Sequence, residues 1–188
     1  MLFRSTTFGP GQMLLCELKT EMAYAAGHMD EAGAGVRQGK AVAAAGDELD
    51  PDLSLLEALV QIRTGKGGDG LAAATTLATK FEQSRLTGAA ASVRLATAEA
   101  LLLSGRNDAA LLWARAALEF FEPRHIWESI LRGHLIAARA AHGSIDENTH
   151  LASAHAALDQ LRSAWSAPVV DTYWRRPDIQ RLLQGIRF

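Results

Sequence analysis

Cysteine is almost missing from this 188-residue chain: Cys16 stands alone. One thiol can close no disulfide and make no cysteine-based zinc site within the chain. A reducing cytoplasm is the compartment such a composition suits. Aromatic residues are scarce at 6%, so rings cannot fill the interior and packing must come from close approach of small side chains. The net charge of −2 offers no long-range attraction to nucleic acid or to an anionic membrane. No stretch approaches the roughly 18 uninterrupted apolar residues of a membrane span. The opening MLFRSTTFGPG has no apolar run of signal-peptide length. The expectation is a soluble, cytoplasmic protein.

Alanine is abundant, within a hydrophobic share of 48% that suffices for a core and is too rich for disorder. Glycine is placed with a rhythm. Gly27, Gly65, Gly105 and Gly143 fall 38, 40 and 38 residues apart. Each ends one apolar helical pattern and precedes another, the mark of stacked helical hairpins. The pattern predicts helices over 12–26 and 30–45, then 53–63 and 71–85, then 91–103 and 108–121, then 124–141 and a last one running to about 165. Asp50 and Pro51 suit an N-cap and first helical position. Asn107 or Asp108 suits a cap, and Ser144 with Glu147 fits a capping box. Thr64 to Gly70 predicts a longer, flexible turn. Pro168 and Pro177 open two short helices that suit a cap on the last hairpin, whereas the first hairpin shows no comparable cap. The expected division is an irregular segment 1–11, a repeat domain 12–166 and capping helices 167–188.

The third hairpin carries Ala98, Gly105, Ala110, Ala117 and Pro123. In that order they resemble the small residues, turn glycine and closing proline of the tetratricopeptide repeat. In the first hairpin Gly27 and Ala32 match, while Gly39 stands where the second alanine belongs. The tail, Tyr173-Trp174-Arg175-Arg176-Pro177-Asp178-Ile179 with Leu182-Leu183, resembles the ends of such arrays in bacterial multidomain kinases, nucleotide cyclases and ATPase-type regulators. The resemblance implies an all-α, right-handed superhelical solenoid of about four antiparallel hairpins with a short C-terminal cap. It implies a non-catalytic interaction or regulatory region, the C-terminal part of a larger signalling protein. By repeat alignment, the concave groove for a protein or peptide partner includes Glu17, Glu21, Tyr24, Arg63, Leu95 and Glu99. A homodimer through the uncapped first hairpin is a further expectation. The alternative is an effector-sensing domain that binds a small molecule and controls an attached catalytic or DNA-binding domain.

Enzyme-like patterns have simpler readings. Gly65-Lys66-Gly67-Gly68 lacks the spacing and the preceding strand of a P-loop. The histidines His28, His125, His134, His142, His150 and His155 show no convergent ligand spacing and read as surface or partly packed residues. Asp30-Glu31 and Asp146-Glu147 sit where helix dipoles favour acids. Cys16 reads as a small buried apolar residue. Arg124, Glu128, Arg132 and Arg139 read as a solvated, salt-bridged face. No cofactor, metal, membrane or direct nucleic-acid partner is expected.

Overall fold

A computed structural model describes residues 9–43 and 50–186. Among these residues every regular element is helical: α1 (Gly9–Ala26), α2 (Met29–Ala43), α3 (Pro51–Arg63), α4 (Gly67–Gln83), α5 (Thr87–Leu103), α6 (Asn107–Phe121), a 3₁₀ turn (Glu122–Arg124), α7 (Trp127–Ala140), α8 (Ile145–Ala164), α9 (Ala167–Trp174) and α10 (Pro177–Leu183). The chain divides into two compact units, residues 1–73 and 74–188. The boundary falls within α4, so it does not coincide with the expected limits at 11 and 166. Helix α1 also begins at Gly9, inside the segment expected to be irregular.

The glycine period marks one kind of turn. After α5, the Gly105 N–H bonds to the Leu102 carbonyl and the Arg106 N–H to the Leu101 carbonyl. This is a Schellman closure, which needs a left-handed residue at its first outside position. Gly105 supplies it with φ +73°, and Gly27, Gly65 and Gly143 have the same sign. The connections between hairpins in the second unit use the same backbone without glycine. Arg85 has φ +60° and His125 φ +53°, and Leu86 N–H reaches back to the Phe81 carbonyl at 2.8 Å.

Several helix starts differ from expectation. Helix α4 begins at Gly67, so Gly68, Asp69 and Gly70 belong to its first turn and the connection is as short as that between α5 and α6. Gly70 is there because a Cβ would lie 2.5 Å from the Ala58 carbonyl oxygen. Helix α6 starts at Asn107, with Arg106 in the cap position and no side-chain cap. Asp50 does cap α3, accepting from the Asp52 N–H at 2.8 Å, and Pro51 follows in the first turn. Ser144 occupies the cap position of α8 without a side-chain bond. Glu147 instead accepts from the N–H of Gly143, one residue before the cap, at 2.7 Å, so the expected capping box does not form.

In the first unit α1 packs on α2, α2 on α3, and α1 on α3. In the second unit α5 packs on α6, α6 on α7, α5 on α7, and α7 on α8. Helices α1 and α3, like α5 and α7, thus also touch across the helix between them. The seams are lined with small residues, as the aromatic shortage requires. Ala98, Ala110, Ala114, Ala117, Ala137, Ala138 and Ala154 are fully buried. Gly39 is small for a local reason: a Cβ there would meet Leu53 Cδ2 at 2.4 Å. The large anchors are Leu101, Leu131, Leu135 and Ile136. Helix α10 breaks the sequential order and returns onto α7, burying Ile179 and Leu182 completely.

Candidate functional site

The residues expected to line a groove fall into two settings. Glu17, Glu21 and Tyr24 share one side of α1 by their spacing. Glu21 is exposed, and Glu17 and Tyr24 are half-buried. Arg63, at the end of α3, lies with its guanidinium 5.7 Å from the Tyr24 ring centre, a cation–π distance. Burial, then the neighbouring Asp50 and Asp52 carboxylates, push the Glu17 carboxyl upward. Buried atoms Glu17 Oε1 and Arg63 Nη1 have no hydrogen-bond partner among the described residues.

In the second unit, Leu95 and Glu99 are buried, at 9% and 8% exposure. Glu99 is not free to meet a partner, because Arg132 donates to it at 2.5 Å. The same guanidinium donates to Asp178 of α10 at 2.7 Å and lies 3.7 Å from Glu128. The arginine stripe is therefore no solvated face at this position: Arg132 is 17% exposed. Burial alone would lower its proton affinity, but Glu99, Glu128 and Asp178 outweigh that and raise it. Burial would raise the Asp178 carboxyl, but bonds from Arg176 and the charge of Arg132 pull it down to about 2. Tyr173 donates to Glu128 at 3.1 Å, and Arg139 donates to the Arg181 carbonyl. Charges this far from water persist only when paired. The network fastens α10 across α5 and α7, as a cap on this end would need.

The histidines divide as well. His28, His125, His142 and His155 are exposed. His134 and His150 are buried, at 6% and 9% exposure, and their Nδ1 atoms stand 3.0 Å apart. His134 Nε2 lies 3.1 Å from Glu122. Sequence spacing did not reveal this pair, because sixteen residues separate its members and they meet across the α7–α8 seam. The same holds for Arg132 and Asp178, 46 residues apart.

A different feature dominates the surface of the first unit. Leu14, Leu15, Leu18 and Met22 lie at i, i+1, i+4 and i+8 on α1, which places them on one side of a helix. Their exposures run from 48% at Leu18 to 72% at Met22. Cys16 and Thr20 on the other side are buried, and Met13 and Tyr24 pack against Val36, Leu53 and Leu56. Helix α1 is therefore apolar on both sides, with only one of them covered. The sequence carried the signal, since both sides alternate at helical spacing, but spacing does not say which side faces the core.

No described helix is long and apolar enough to cross a membrane, and the described residues form no group of three or more metal-ligating side chains. Compared with known protein families, curated proteins and solved structures, the chain matches none of them.

Proposed function

We propose that this chain is a non-catalytic interaction module of the tetratricopeptide-like kind, a right-handed superhelical stack of hairpins serving a larger cytoplasmic signalling protein. Its docking surface is the open side of α1. The observation that carries this reading is the row Leu14, Leu15, Leu18 and Met22, four large apolar side chains about half-exposed or more on one helix. Contiguous apolar surface of this kind marks association sites. Leu15, Leu18 and Met22 also follow the three-then-four spacing of a helix-pairing seam. The occupant that fits is an apolar helical face on a protein partner. Glu17, Glu21, Tyr24 and Arg63 supply polar edges to that contact, while Glu99 serves the fold instead.

The test replaces Leu18 and Met22 with glutamate. Capture of a partner by the intact chain should fall more than tenfold with unchanged helicity. A Leu112→Glu control, at another exposed apolar residue, should capture normally. Equal capture by all three proteins refutes the docking surface. Sedimentation of the purified chain separates a homodimer, whose mass would halve in the double variant, from a foreign partner.

The effector-sensing alternative has one observation in its favour. An open recess of about 370 Å³ lies in the second unit, with Trp174 and Leu183 on its walls and His155 and Arg162 among its polar lining. Its size is at the lower end for a small-ligand site. A metabolite that raises the melting temperature of the wild type and not of Arg162→Ala would favour this reading.

A further inference from the structure

The pair His134–His150 sits where three helices meet. His134 is on α7 and His150 on α8. Glu122, directly after α6, faces His134 Nε2. Arg115 of α6 and Asp146 of α8 are the charged groups that act on His150, and they bond to each other at 2.7 Å.

The proton positions follow from the partners. A carboxylate only accepts, so His134 carries its proton on Nε2 and donates to Glu122. Its Nδ1 is then a bare lone pair. At 3.0 Å it must accept, so His150 donates from Nδ1. Both rings are then neutral, and among the described residues His150 Nε2 is the pair's one basic nitrogen without a hydrogen-bond partner. A first added proton goes there and leaves the inter-ring bond intact. A second can only go to His134 Nδ1, which would set two N–H groups and two positive charges face to face. Glu122 opposes that cost, but it is half-exposed and its charge is screened. The His134 and His150 rings have little solvent to take up the charge.

We propose that this imidazole pair is a proton-operated joint, holding α6, α7 and α8 together at neutral pH and loosening them in acid, once both rings are forced to carry a proton. The direction of the shifts agrees. Burial, then His150, lowers His134 to about 4. Burial, then Arg115, lowers His150, with Asp146 opposing. Each ring resists a proton that the unfolded chain accepts near the ordinary histidine value of about 6.5. Stability is therefore complete above that value and drains away as pH falls toward 4. Helix α9 packs on α8, so a loosened α8 also loosens α9.

Two measurements test the joint. Imidazole nitrogen NMR on the wild type, from pH 7.5 to 4, should show His134 in the Nε2–H form and His150 in the Nδ1–H form at neutral pH. His150 should protonate first, and both midpoints should lie below 6.5. Urea titrations should show the wild-type unfolding constant rising about tenfold or more between pH 7 and 5. The His134→Leu/His150→Leu double variant should change less than about twofold over the same range. Midpoints at or above 6.5 for both rings, or a double variant with the wild-type pH slope, overturn the proposal. If the double variant does not fold, the NMR titration decides alone.

Discussion

Glycine and alanine act here as spacers, and single atoms decide where each is needed. At Gly39 a methyl group would press on Leu53 Cδ2 at 2.4 Å, whereas at Gly33 the nearest atom stands 3.5 Å away at the end of the Arg37 side chain. Both lie inside α2. Gly39→Ala is expected to destabilise by about 1–3 kcal/mol through overpacking. Gly33→Ala should stabilise by roughly 0.5–1 kcal/mol through helix propensity alone. Urea unfolding of the two variants checks both, and equal effects would mean that the α2–α3 seam has slack. Arg132 shows the opposite economy. One buried cation satisfies carboxylates from three separate helices, Glu99, Glu128 and Asp178, and no small residue could replace it.

Among the elements, the turns carry the clearest lesson. The glycine period was legible because glycine adopts the left-handed conformation without steric cost. The turns at Arg85 and His125 adopt the same conformation without glycine, so no residue type announced them. There the strain is tolerated because the Schellman bonds still form, from Leu86 to Phe81 and from Ile126 to Phe121. Arg85→Gly should therefore raise stability, by up to about 1 kcal/mol. A lower melting temperature for this variant would show that the Arg85 side chain contributes contacts that outweigh the strain. Helix starts were harder to place than helix ends. Asn107 and Asp108 are good capping types, yet α6 begins one residue earlier than a cap at Asn107 would allow and two earlier than a cap at Asp108. Its first turn is set by the Schellman closure before it.

For the molecule as a whole, pH gathers several buried groups into one response. The imidazole pair withdraws stability between about 6.5 and 4. Asp178 follows lower down. Its carboxyl is held at about 2 against an ordinary aspartate value of 3.8, so its contribution is present above 3.8 and disappears as pH falls through 2. Glu17 acts with the reverse sign: raised by burial, it favours the fold more as pH falls. Acid unfolding is expected in two stages. Asp178→Asn should remove the lower stage and leave the upper one, as followed by helicity between pH 7 and 2. A single stage unaffected by that change would mean that Arg132 does not hold α10 in solution.

Helicity, the hairpin rhythm, the cap on α3 and the short tail helices could all be read along the chain. They rest on interactions within a few residues: helical periodicity, left-handed glycine, Asp50 before Pro51. Scarce aromatics and plentiful alanine likewise pointed to close helix seams. The folded arrangement decided the rest. It buried Leu95 and Glu99, joined Arg132 to Asp178, faced His134 with His150, and left one apolar side of α1 in water. Each of these depends on which side of a helix meets which neighbour. Periodicity reports that sides exist and is silent on their partners, because pairing across a seam is settled by packing between residues far apart in the chain.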